Sequence, residues 1–99
     1  MSGYGAILEA DLRLAILQVL TAAETEVNVP ILRASIEAAT PHRPAAESLR
    51  QEITWLAERG LVAKRAIGAS IAAATITERG EDVARGRQSL TGIAAPGLD

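Results

Sequence analysis

The chain has 99 residues and a formal net charge of −2; 48% of its residues are hydrophobic, and Tyr4 and Trp55 are its only aromatic side chains. These values bound it to one domain with one aliphatic, small-residue core, which favours closely packed helices, and the acidic balance argues against a strong non-specific polyanion binder. No cysteine is present, which excludes disulfides and thiolate metal sites and fits a reducing, cytoplasmic setting; no apolar run approaches the roughly 18 residues of a membrane span, and no basic patch followed by an apolar run marks a signal peptide.

Residues 1–5 read as a short arm, with Tyr4 loosely ordered, packed on the domain or packed on a second chain. Residues 6–23 carry a helical pattern. Leu8, Leu12, Ala15, Ile16 and Val19 line one face, and Leu14, Leu17 and Leu20 widen the apolar arc past a single stripe. Such a helix is central to the fold or shared with a partner, and a homodimer contact through it is expected. Glu9 and Asp11 sit near its start, where the helix dipole favours acids.

Residues 24–27 form a polar connection. Asn28 suits the N-cap, and Pro30 the first turn, of a second helix over 29–39, whose inner stripe is Leu32, Ile36 and Ala39. Thr40 precedes a proline and ends that helix. The turn TPHRP, residues 40–44, leads into a third helix over 44–59. Ala46, Leu49, Ile53 and Leu56 recur there at three-then-four spacing, and Glu47, Arg50, Gln51, Thr54 and Glu58 fall on the opposite side. Two short helices joined by so tight a turn make a helix-turn-helix. Trp55 lies off the buried seam, beside Ser48 and Arg59 in projection. It is expected to pack under the following hairpin, with a subunit contact as the alternative.

Gly60 stops the third helix in the left-handed conformation that helix ends favour. The periodicity then changes. Residues 61–67 and 71–77 are extended runs around Gly68, Ala69 and Ser70, which predicts a β-hairpin. Its alanines have little strand propensity of their own, so packing must hold them. Ile67 and Ile71 near the tip form either a cross-strand pair or an apolar protein contact. Thr77 and Glu78 open a short helix to about Arg85, which Gly86 closes. Residues 87–99 form a tail expected to be disordered, or laid along a neighbour through Leu90 and Ile93.

The charge is unevenly spread. Five basic residues (Arg43, Arg50, Arg59, Lys64, Arg65) face three acids (Glu47, Glu52, Glu58) over residues 43–65, whereas the segments on either side are acidic. The positive excess thus falls on the stretch able to meet a phosphate backbone, although mixed surface charge has the same appearance. Catalytic patterns are missing. His42 is the single histidine, which makes neither a metal cluster nor a triad and leaves it a solvated or phosphate-contacting turn residue. The serines lack nucleophile-elbow glycines, Glu47 and Glu52 diverge on their helix, and no phosphate-binding glycine loop is present. No cofactor, no metal and no enzymatic activity are expected.

Helix, helix, turn, helix, hairpin and short helix follow the winged helix-turn-helix plan: mainly α with a β-hairpin (α-α-α-β-β-α), a domain over 6–86 and a tail over 87–99. Residues 49–62, LRQEITWLAERGLV, resemble the end of the recognition helix and the start of the wing in the ArsR, MarR and PadR groups of bacterial regulators. Residues 74–86, ATITERGEDVARG, resemble their hairpin return. The chain, with its glycine- and proline-containing tail, also resembles a family of small proteins of Mu-like phages and prophages that often carry an ArsR-type label. The regulator resemblance implies a DNA-binding, dimeric transcriptional regulator whose recognition helix, 44–59, enters the major groove of double-stranded DNA. Glu47, Ser48, Arg50, Gln51 and Thr54 would face the groove, with Arg50 bidentate to guanine and Gln51 to adenine. His42 and Arg43 would meet a phosphate at the helix start, and Lys64 and Arg65 would make wing contacts. The sequence departs from the regulators in three respects: the hairpin tip is uncharged, Glu47 and Glu58 sit on the reading face, and cysteine metal sites are absent. The uncharged tip, together with the acidic balance, favours the alternative, a winged-helix module for protein interaction or phage assembly; the basic excess over residues 43–65 favours DNA.

Overall fold

A computed structural model describes residues 3–97; the expected arm and tail extend beyond these at Met1, Ser2, Leu98 and Asp99. The elements in order are α1 (Gly3–Ala23), β1 (Val27–Asn28), α2 (Val29–Ala39), α3 (Ala46–Glu58), β2 (Val62–Ile67), β3 (Ser70–Ile76) and α4 (Glu78–Ala84). Four helices thus pack with a three-stranded antiparallel sheet of order β1-β3-β2.

Local signals account for most of the boundaries. Asn28 caps α2 by accepting a hydrogen bond from Ile31 N at 2.8 Å, with Pro30 in the first turn. Gly60 follows α3 at φ 75° and Gly86 follows α4 at φ 80°, both in the left-handed region that glycine enters freely. Thr77 caps α4, its hydroxyl accepting from Gly80 N at 3.0 Å. The hairpin turns at Gly68, and its register slips between Arg65 and Ala66.

Tertiary contacts change several expectations. First, α1 begins at Gly3, so Tyr4 rides on its first turn rather than in an arm. Two poor helix formers, Gly3 and Gly5, obscured that start. Second, the buried face of α1 is Leu14, Ala15, Ile16, Leu17 and Leu20, whereas Leu8 is exposed and Leu12 and Val19 are half-buried. Other elements cover α1 from more than one side, so its wide apolar arc is consumed within the chain from Arg13 onward. Third, the polar connection after α1 ends in a short edge strand. Val27 lies opposite Ala74 and Asn28 opposite Ala73. Two residues are too few to show a period, and the free edge of β3 organises them.

Fourth, the tail is folded back. Arg87 N and Gln88 N donate to Asp82 O, and Ala94 N donates to Ala10 O at 3.1 Å. Leu90 and Ile93 pack on the same chain's core rather than on a neighbour. Trp55 belongs to this side of the molecule and not to the underside of the hairpin. Its ring is sandwiched between the guanidinium groups of Arg13 and Arg59, 3.8 and 3.6 Å from the ring centroid. Arg13 also donates to Glu52 Oε1 at 2.6 Å and to Gly92 O at 3.1 Å. A Cβ on Gly92 would lie 2.9 Å from the Trp55 ring, so a bare backbone is what lets the tail approach.

The core is aliphatic throughout: Ile16, Leu17, Leu20, Leu32, Ile36, Leu49, Ile53, Leu56 and Leu61 are fully buried. Ala39, assigned above to the α2 stripe, is exposed instead. Leu49, Ile53 and Leu56 fix the rotation of α3 about its axis. That rotation decides which side chains α3 offers to solvent.

Candidate nucleic-acid interface

With its seam buried, α3 presents Glu47, Gln51 and Glu58 to solvent along one line, with Ser48 beside them and Thr54 partly covered. Glu47 in the first turn suits the positive end of the helix dipole. Beside this line stands the hairpin, exposed along β2 from Ala63 to Ile67. Glu47, Arg50, Gln51 and Thr54 of α3 and Ala69, Ser70 and Ile71 of the hairpin line a shallow polar depression between the two elements.

Arg50 joins the two walls. Its Nε donates to Ile71 O at 3.1 Å, and Nη1 lies 3.8 Å from Glu47 Oε1. Thr54 turns inward along its own helix, its hydroxyl donating to Arg50 O at 3.1 Å. Among the described residues, no side-chain hydrogen bond or ion pair engages Ser48, Gln51 or Lys64.

The other expected contacts divide. The His42 ring is largely covered and faces α1, with Nε2 2.7 Å from Asp11 Oδ2, so it braces the turn and is spent there. Arg43 lies nearby, its Nη1 donating to Thr40 O and His42 O at 3.0 and 2.8 Å. Those partners are carbonyl oxygens, so the charge of Arg43 stays uncompensated. Arg65 differs. Its guanidinium forms a two-pronged pair with Glu26, at 2.8 and 2.9 Å, tying β2 to the segment before β1. The hydrogen bonds from Arg65 hold the Glu26 carboxyl below its ordinary range, and Glu26 in turn raises the pKa of Arg65. Arg43, Arg50 and Lys64 are therefore the cations this surface offers, against Glu47 and Glu58.

Sequence reasoning placed α3 and the hairpin side by side but missed these cross-links. Arg65–Glu26 and Arg13–Glu52 each join residues 39 apart, and His42–Asp11 joins residues 31 apart. No local pattern marks such pairs. Among the described residues, no group of three or more His, Cys, Asp or Glu side chains could hold a metal ion. No helix there is long and apolar enough to cross a membrane.

No family model matches the chain, and no solved structure matches it. It is 37% identical over 90 residues to the uncharacterized protein gp26 of Escherichia phage Mu, a span covering 91% of this chain and 92% of that one. This agrees with the resemblance to small proteins of Mu-like phages. With such identity over nearly the full length of both chains, the protein belongs to the same family as phage Mu gp26.

Proposed function

We propose that the protein is a winged-helix DNA-binding protein of phage or prophage origin that acts as a transcriptional regulator. In this reading α2 and α3 form the helix-turn-helix, α3 enters the major groove and the β2–β3 hairpin is the wing. One observation carries it: the solvent face of α3 and the hairpin are joined into a single surface by the Arg50–Ile71 hydrogen bond.

The roles follow from what each side chain has left to offer. Gln51 and Ser48 are exposed and uncommitted, so Gln51 is the reader, matched to adenine N6 and N7. Arg50 turns its terminal nitrogens, one of them 3.8 Å from Glu47 Oε1, to guanine or a phosphate while its Nε holds the wing in place. Glu47 accepts from cytosine N4 and disfavours the other bases there. Arg43 and Lys64 meet the backbone. Arg65, already neutralised by Glu26, contributes little.

The test is a titration of duplex DNA at several salt concentrations. Two or three phosphate contacts give a log–log salt slope of roughly −2 to −3. Lys64→Ala and Arg43→Ala should each flatten it by about one, whereas Arg65→Ala leaves it near the wild-type value. Absence of binding at low salt overturns the proposal. It then favours a winged-helix module for protein interaction in phage assembly, a reading that rests on Ile67, 67% exposed at an uncharged hairpin tip.

A further inference from the structure

The folded-back tail encloses an apolar cavity against α4. Val83 and Ala84 form its buried floor, and the half-buried Leu90, Ile93, Ala94 and Pro96 its walls. Its volume is about 380 Å³, within the range of small-molecule sites. At the roughly 30 Å³ that a water molecule occupies in the liquid, it has room for about a dozen non-hydrogen atoms. The walls are pinned by the backbone. Arg87 N and Gln88 N donate to Asp82 O at 2.8 and 3.2 Å, Ile93 N to Leu90 O at 3.2 Å and Ala94 N to Ala10 O at 3.1 Å. A Cβ on Gly86 would lie 3.0 Å from Pro96 Cγ, so the bare glycine lets the tail close over the end of α4. The shape of the cavity is thus set by the fold itself.

We propose that this cavity binds a small uncharged amphiphile, apolar over most of its surface and ending in one hydroxyl or carbonyl group. The charges at the rim select a neutral occupant. Arg85 is the one charged side chain that lines the cavity, and its Nε donates to Glu81 Oε2 at 2.8 Å. Arg87, two residues on, donates to Asp82 Oδ1 at 3.0 Å and lies 4.0 Å from Glu81 Oε2. Two arginines therefore face two acids, and the rim carries no net charge. An anion or a cation entering the cavity gives up hydration and finds no free counter-charge. A neutral polar end gives up far less. It also finds Gln88 and Ser89, which are exposed at the rim and whose side chains make no hydrogen bond among the described residues. Both can donate and accept.

The apolar body of the ligand then lies on Val83, Leu90 and Ile93, and its oxygen at Gln88 and Ser89. Few atoms limit the affinity: a ligand of this size that is held mainly by apolar contact binds in the range of about 1 mM. The inference goes beyond the DNA-binding proposal and does not depend on it.

Titration with 1-octanol, followed by amide and methyl NMR shifts, tests it. The expected result is saturable shifts confined to residues 83–97, with half-saturation at about 1 mM. A second apolar depression, lined by Val19, Val27 and Ile31 among others, is the internal control and should show none. Octanoate and octylammonium carry opposite charges on the same chain and should each bind about tenfold or more weakly. A Gln88→Ala/Ser89→Ala variant, altered only at exposed positions, should bind octanol about tenfold more weakly. Ala94→Leu, which fills the cavity, should abolish the saturable shifts, with circular dichroism confirming that helicity is kept. Absence of saturable shifts overturns the proposal, as do equal shifts in both depressions. So does octanoate or octylammonium binding as tightly as octanol, or wild-type affinity in the Gln88→Ala/Ser89→Ala variant or in a folded Ala94→Leu.

Discussion

Replacing Gly80 with alanine separates two opposite forces. Gly80 sits in the first turn of α4 with an ordinary helical backbone, so propensity alone predicts a gain of up to about 1 kcal/mol from the change. The surroundings oppose it. An added Cβ would lie 2.8 Å from Ile76 Cδ1, 3.0 Å from Leu61 C and closer still to the Leu61 carbonyl oxygen. Ile76 can rotate; Leu61 cannot retreat easily. Leu61 is fully buried, and its carbonyl accepts the hydrogen bond from Thr77 N at 3.2 Å that fixes the start of α4. Forcing the backbones apart costs about 1–3 kcal/mol in overpacking, and weakening the Thr77–Leu61 bond adds about 1 kcal/mol. After the propensity gain, the net loss is about 2 kcal/mol. For a domain of this size that lowers Tm by roughly 8–16 °C. Thermal and urea unfolding of Gly80→Ala, followed by circular dichroism, measure it. Gly68→Ala is the control, since Gly68 has positive φ but open space around the position of its Cβ; it should lose only about 1 kcal/mol of backbone strain. A neutral or stabilised Gly80→Ala refutes the close approach of α4 to Leu61.

Arg13→Ala removes one lid of the Trp55 sandwich and leaves Glu52, its side chain 13% exposed, without its partner. We expect a loss of about 3 kcal/mol, with Trp55 fluorescence shifted to the red and more open to quenching as the tail loosens; unchanged stability and emission would contradict the sandwich. Glu26 predicts a pH effect. Its folded pKa lies below the ordinary 4.5 because Arg65 donates to it, so the pair stabilises the fold above that value. The stabilisation disappears as pH falls through the lowered folded value. Both partners are exposed, so the effect is small, and Glu26→Gln should flatten the acid limb of the stability curve below pH 4.5; a limb identical to wild type would remove the pair from the account.

Much of this protein is written locally. Asn28 and Pro30 start α2, Thr77 starts α4, and Gly60 and Gly86 end helices; each acts within a few residues of itself, so no knowledge of the rest of the chain is needed. The apolar seam Leu49, Ile53, Leu56 likewise sets the solvent face of α3, and with it the candidate site. Other features depend on partners far along the chain. Val27 and Asn28 become a strand only because the edge of β3 is beside them. Leu90 and Ile93 look like a tail until α1 and Trp55 supply a surface with room at Gly92. Arg50 and Arg65 look equivalent in the sequence, yet one finds a hairpin carbonyl and the other a carboxylate 39 residues away. Charge pairing and close packing are set by which groups folding brings within reach, and sequence spacing carries no record of that. The sequence by itself therefore determined the helices, their caps and the hairpin. Only the tertiary structure decided which cations remain free for a partner, and where apolar surface is left uncovered.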